Sequence, residues 1–333
     1  MNIFDKNATN SNDREFRKLA LGDVIDSYLE YYAASSSHTA RAKRIDLLKF
    51  LNFMAKIEHC EAEKVRVTAW SYSSVQRFVE HLLKSGEAPA TVSRRLATLK
   101  HMGRTLAEKL PGFINPARDV KAPKMQATKP KALSFDEMRT IRKSASERVT
   151  DRPSFIRNRN LMLLELLLET GLRAEEIRLL KFGQLDEKIE WISQVRTKGR
   201  KFRNVYIASN VRSALKTYLE QRAQELKRFY SLLPASINRK LPVFLSTYGA
   251  KSTNPESFFM GAKTLWRSIN QLSQEFKLHP HLLRHSFAVD LLESSNDIRL
   301  VSQALGHSDV RVTMRYTERR DAEIAKALER KKR

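Results

Sequence analysis

The sequence predicts a mainly α-helical protein in two domains, the second carrying one small β-hairpin. Three observations carry this expectation. Apolar residues recur at helical spacing through most of the chain. The period changes to two in one place only, around 189–207. A stretch rich in proline and basic residues, 116–131, separates the two helical halves. At 333 residues the chain is too long for one ordinary domain, and 41% hydrophobic residues suffice for two cores.

In chain order, residues 1–20 read as a disordered tail: Met1 to Asp13 is polar and lacks the apolar core of a secretory signal. Helices are expected over Asp23–Tyr32, Thr39–Lys56, Ser73–Lys84 and Thr91–Leu110, making 21–115 an all-helical domain. In the second helix Ile45, Leu47, Leu48, Leu51 and Met54 form the expected buried stripe, and the third opens on a Ser73–Gln76 capping box. Residues 116–133 form an extended linker, with Pro116, Pro123 and Pro130 and five basic residues against Asp119 alone.

Ser134 and Glu137 form a second capping box, stapled by Leu133 and Met138, and open the domain 134–320. Asn158–Glu169 is apolar on nearly all sides and should be a buried central helix, ended by Gly171 in the left-handed conformation. Ile189–Trp191 and Val205–Ile207 flank the basic tip 197–201 of the hairpin. Further helices are expected over Asn210–Phe229, Phe258–Phe276, Pro280–Glu293, Ile298–Leu305 and Asp309–Arg315, with a last amphipathic one, Asp321–Arg330, in the segment 321–333.

The chain has 61 Lys+Arg against 37 Asp+Glu, a net charge of +24, divided as +8 on residues 1–130 and +16 on 131–333. Both domains therefore suit one polyanionic partner, nucleic acid first and an anionic membrane surface second. The most apolar stretch, Leu161–Leu168, is interrupted by Glu165 and falls far short of the roughly 20 residues of a membrane span. The lone Cys60 excludes a disulfide framework and a cysteine-built zinc site, and points to a reducing, intracellular compartment.

Four short motifs could carry chemistry. In His281-Leu282-Leu283-Arg284, Pro280 suits the first helical position, so an imidazole and a guanidinium share one face near a helix N-terminus, where an anion is favoured. Arg173 follows the glycine turn of Thr170-Gly171-Leu172-Arg173. Leu305-Gly306-His307-Ser308 is followed nine residues on by Tyr316. Lys198 sits at the hairpin tip beside Arg200 and Lys201, which compete with it for any role there. Each has an ordinary alternative: an exposed basic helix start, a capping arginine, a packed tyrosine, a solvated lysine.

The ordered set is more specific than its parts. Thr-Gly-Leu-Arg, a hairpin lysine, His-x-x-Arg-His, Leu-Gly-His and then Tyr at this spacing resemble the tyrosine recombinase (phage integrase) family. Leu282-Leu283-Arg284-His285-Ser286-Phe287-Ala288 is similar to the Xer-type motif. The resemblance covers residues 134–320 most strongly. Residues 21–115 resemble the family's core-binding domain more loosely, through Ala90-Thr91-Val92-Ser93-Arg94-Arg95-Leu96.

That resemblance implies a metal-free, cofactor-free transesterification. Tyr316 would attack the scissile phosphate and form a 3′-phosphotyrosine. Arg173 and Arg284 would clamp the non-bridging oxygens, with hydrogen bonds from His281 and His307. His281 is the candidate for taking the tyrosine proton, Lys198 the general acid for the departing 5′-hydroxyl, and Glu176 a supporting acid that orients its neighbours. The two domains would clamp duplex DNA carrying a recombination site. Phosphate and groove contacts are expected from Thr39, Arg41, Lys43 and Arg44 on one helix, and from Thr91, Arg94, Arg95 and Lys100 on another. The 321–333 segment, with Ile324, Ala325, Ala327 and Leu328 on one side, would dock into a neighbouring protomer of a synaptic tetramer. The implied location is the cytoplasm, at the nucleoid. With about 20 residues before the first helix, a two-domain member without the arm-binding domain is expected.

Rival readings are weaker. A type IB topoisomerase would share the chemistry, and a non-catalytic DNA-binding regulator would share the fold but lose a catalytic position. His281 and His285 are spaced for a metal, but the intervening arginine repels a cation and the glutamate base is missing. Gly306-His307-Ser308 fails as a serine nucleophile elbow, because Val310 stands at the fifth position.

Overall fold

The computed structural model describes residues 16, 18–33, 37–110, 112–124, 132–197 and 201–306. The chain divides into two compact units, 1–128 and 129–333. Among the described residues the protein is mostly helical, with one two-stranded antiparallel sheet, and no helix is long and apolar enough to cross a membrane. The helices expected over Asp309–Arg315 and Asp321–Arg330 lie outside the described residues.

The first unit packs α1 (Leu21–Ala33), α2 (Ser37–Ile57), α3 (Tyr72–Lys84) and α4 (Pro89–Lys109) around a core that includes Tyr28, Phe50, Met54, Phe78, Leu96 and Met102. The α2 stripe is turned from the expected one. Leu47, Phe50, Leu51 and Met54 are buried, whereas Ile45 is 57% and Leu48 40% exposed. The four buried positions are spaced i, i+3, i+4 and i+7, and their side of the helix also takes in Asp46, whose carboxylate is 1% exposed. It accepts from Arg95 Nη1 at 3.0 Å and Thr98 Oγ1 at 3.0 Å, and also from Arg94. The α3 cap also differs. Ser71, not Ser73, is the cap residue, with Ser71 and Ser74 exchanging side-chain-to-backbone bonds at 3.1 and 2.8 Å, because the helix starts one residue earlier than its apolar pattern.

In the second unit α5 (Phe135–Asp151) opens on the Ser134–Glu137 capping box. Next comes α6 (Phe155–Thr170), with Met162, Leu163, Leu164, Leu166, Leu167 and Leu168 all buried. Gly171 ends it with φ 57°, and a Cβ there would lie 2.3 Å from Phe287 Cδ1, so both conformation and space demand glycine. The short α7 (Ala174–Arg178) follows, then β1 (Trp191–Arg196) and β2 (Phe202–Tyr206). Trp191 pairs with Tyr206 and Val195 with Arg203, with an irregularity between Ile192 and Val195 where Gln194 has φ 54°. Thr197 closes the described end of the hairpin, its backbone N–H donating to Lys201 O at 2.7 Å.

The chain continues through α8 (Ser209–Leu226), α9 (Ala235–Lys240), α10 (Ala262–Asn270), α11 (Pro280–Ser295) and α12 (Ile298–Leu305). The helix expected over Phe258–Phe276 is therefore much shorter. Phe258 and Phe259 are instead held against the 245–246 segment by an isolated bridge to Leu245 and a bond from Ser246 N to Phe258 O at 2.8 Å, and the helix can start only after Gly261. Both α8 and α11 pack on α6, the centre of this unit's core.

Removing one partner of a buried ion pair leaves an uncompensated charge. Asp46→Ala should therefore cost the first unit about 3–5 kcal/mol, measured by urea unfolding. Arg44→Ala removes only an exposed pair with Asp26, 57% exposed on both sides, and should cost under about 1 kcal/mol.

Candidate active site

The site is organised by one carboxylate. Glu176 lies on α7, the helix that follows the Gly171 turn, and its side chain is 5% exposed. It accepts from the backbone N–H of Arg173 and from Arg173 Nη1, both at 2.8 Å. Arg203, on β2, adds a bidentate pair: Nη1 to Oε1 and Nη2 to Oε2, each at 2.9 Å. Arg284 Nη1 stands 4.0 Å from Oε2. Three guanidinium groups thus surround one carboxylate. The local excess of positive charge suits an anionic group such as a phosphate.

The arginines are held differently. Arg173 keeps a third of its side chain exposed. Arg284, on α11, is buried and donates to the main-chain carbonyls of Gly171 and of Leu305, the latter at 2.8 Å. It thereby ties the turn after α6 to the end of α12. Burial alone would push the Glu176 carboxyl up, but the bonds from Arg203 and Arg173 and the charge of Arg203 outweigh it and hold the group below the usual carboxylate range.

His281 lies in the first turn of α11, exposed, on the same helix as the buried Arg284. Pro280 opens the helix as expected, but its cap is His279, whose Nδ1 accepts from Leu282 N at 3.1 Å. Burial, then the nearby His281 and Lys277, push the His279 imidazole down, in keeping with an unprotonated Nδ1. Lys198, His307 and Tyr316 lie outside the described residues. The described neighbours of Lys198 and His307 do meet: a Cβ on Gly306 would lie 3.0 Å from Arg203 Cδ and Nη1 and 3.1 Å from Thr197 Cγ2. Gly306 has φ 63°, a conformation that favours glycine, and a side chain there would also press on Arg203 and Thr197. Among the described residues no group of His, Cys, Asp and Glu is placed to hold a metal ion.

Sequence reasoning missed Arg203. Its signal was present: Arg203 shares the face of β2 that buries Val205, a pattern that continues to Ile207 just beyond the strand, and an inward arginine requires a buried acceptor. The candidates in the first unit also separate. Thr39 and Arg41 are exposed, and Thr91 is half-buried. Arg44 pairs with Asp26. Lys43 donates to the Tyr28 hydroxyl, and burial first, with Arg104 second, lowers its ammonium. Arg94 bonds Asp46 while staying half-exposed. Lys100 lines a cavity of about 700 Å³ with Arg104 and Arg118. Arg95 corrects the expectation of a surface contact. It is 9% exposed and engaged by Asp46 and, through Nε at 2.8 Å, by Glu87, so it acts as an internal tie between helices.

A carboxyl held low in the folded state stabilises the fold above the ordinary carboxylate range, and that contribution disappears as pH falls through the lowered value. Glu176→Gln should therefore be less stable than wild type at pH 7, with the gap narrowing toward pH 3 in denaturant unfolding at stepped pH.

Comparison with known proteins agrees along the chain. Residues 131–323 match the Phage integrase family and residues 25–109 the Phage integrase, N-terminal SAM-like domain. Tyrosine recombinase XerC of Pseudomonas aeruginosa (strain LESB58) is 32% identical over 299 residues, covering 88% of this chain and 89% of the relative. Tyrosine recombinase XerC of Thermodesulfovibrio yellowstonii is 30% identical over 302 residues, covering 87% and 89%. In fold, the chain is similar to the XerH site-specific recombinase bound to palindromic difH substrate, with a TM-score of 0.67, 19% identity and coverage of 92% and 83%. It is also similar to a lambda integrase dimer bound to a COC′ core site, with a TM-score of 0.63, 14% identity and coverage of 93% and 82%. With an N-terminal and a catalytic family match in tandem and relatives above 30% identity across most of its length, the chain belongs to the phage integrase family of tyrosine recombinases.

Proposed function

We propose that the protein is a site-specific DNA recombinase that cuts and rejoins duplex DNA through a 3′-phosphotyrosine on Tyr316. The observation that carries this reading is the gathering of Arg173 and Arg284 at the buried Glu176, a preorganised cationic pocket in a family that acts on phosphodiesters. The Tyr316 oxygen attacks phosphorus, the bond to the 5′-oxygen breaks, and a free 5′-hydroxyl departs. His281 takes the tyrosine proton and Lys198 delivers one to the leaving oxygen. Arg173, Arg284 and His307 stabilise the charge that accumulates on the non-bridging oxygens. Glu176 keeps Arg173 oriented. The phosphotyrosine conserves the energy of the broken bond, so rejoining requires no nucleotide.

In this reading residues 21–115 are the core-binding domain, 134–320 the catalytic domain and 116–133 the linker of a clamp on duplex DNA, except that Ala117 and Val120 are buried in the first unit's core, so the extended part begins after them rather than at Pro116. Thr39, Arg41, Lys43, Arg44, Thr91, Arg94 and Lys100 supply backbone contacts. Four protomers meet on paired sites, residues 321–333 dock onto a neighbour, and the protein works in the cytoplasm on the nucleoid.

Duplexes selected by wild-type protein from a library randomised at its centre, then nicked to trap the adduct, provide the substrate. Wild type should accumulate a covalent protein–DNA adduct that persists in EDTA. Tyr316→Phe should form none while still retarding the same duplex, and an adduct that survives this substitution sinks the assignment. Deleting residues 321–333 should leave single-duplex binding intact but lower recombinant product at least tenfold; undiminished recombination would rule out the docking role.

A further inference from the structure

We propose that Arg203 is a positioning residue of the reaction, the joint that sets the hairpin against the phosphate clamp. The inference rests on the recombinase reading above. Three segments meet on this one side chain. Its fork grips Glu176, and Glu176 in turn holds the backbone and side chain of Arg173. Its backbone lies opposite Val195 on β1, two residues before Thr197. Its Cδ and Nη1 lie at Gly306, where no Cβ could be accommodated without displacing them, and Gly306 also abuts Thr197. Lys198 is the next residue after Thr197, and His307 the next after Gly306. Arg203 is thus bonded to the clamp, paired through its backbone with the strand that leads to Lys198, and packed beside Gly306, which leads to His307.

The pair is suited to a fixed distance rather than to charge alone. The Arg203 side chain is 10% exposed and Glu176 5%, so solvent does little to loosen it. A bidentate guanidinium–carboxylate pair fixes orientation as well as separation, which an ammonium cannot. The Arg203 Nε is buried with no acceptor among the described residues.

If Arg203 acts by holding the hairpin, its loss should resemble loss of the general acid. Sulfur in place of the 5′-bridging oxygen separates the possibilities, because a thiolate leaves without a proton. On the ordinary phosphate, Arg203→Met should form adduct about tenfold to a hundredfold more slowly than wild type, as expected for a misplaced catalytic group, with duplex affinity unchanged. On the bridging phosphorothiolate it should recover most of that loss, as Lys198→Ala should if that lysine is the general acid. Arg203→Lys, which keeps the cation but not the fork, should show the same recovery from a smaller defect, and carries the comparison should Arg203→Met fail to fold. An equal loss on both substrates would overturn the proposal, because Arg203 would then act on the phosphoryl clamp or on the fold alone. Wild type forming no adduct on either substrate would instead refute the recombinase reading.

Discussion

The catalytic unit depends on a carboxylate placed where water hardly reaches. An isolated ionised glutamate at such depth would be costly, and it would protonate rather than remain charged. Glu176 stays charged because arginines from separate segments converge on it: Arg173 beside it in sequence, Arg203 from the hairpin, and Arg284 at the edge of contact from the long α11 helix. The arginines in turn keep their orientation because the carboxylate is there. Neither set is stable alone, so the geometry is reached only when the turn after α6, the hairpin and α11 have all come together.

The same logic operates in the first unit with different residues. Asp46 is buried on α2, and Arg94, Arg95 and Thr98 of α4 close around it. The same face buries Leu47, Phe50, Leu51 and Met54, so Ile45 and Leu48 face outward. Polar and apolar contacts thus agree on the rotation of that helix. A stripe drawn through every apolar residue from Ile45 to Met54 is wider than the buried face, so two of them fall outside it.

Local signals were legible in the sequence where they depend on neighbours in the chain. The Ser134 cap, the Gly171 stop and Pro280 at a helix start each follow from backbone geometry within a few residues. The family motif set located Arg173, Glu176 and Arg284, and they do assemble. What stayed hidden was pairing across long separations. Arg95 reads as a basic helix start until Glu87 and Asp46 are seen beside it. Arg203 reads as one more charge near a basic hairpin tip. The end of the 258–276 helix was obscured because a bridge to Leu245, distant in sequence, holds Phe259 extended.

The Asp46 cluster bears on how the protein lets go of DNA. Counterions compete strongly for exposed phosphate contacts, and binding through several of them weakens steeply as salt rises. A shielded ion pair is screened far less. The α2–α4 pairing is therefore fastened by the kind of electrostatics that salt barely touches, whereas an exposed cation such as Arg41 presents the kind that salt screens. Rising ionic strength thus weakens a phosphate grip without loosening this helix pair.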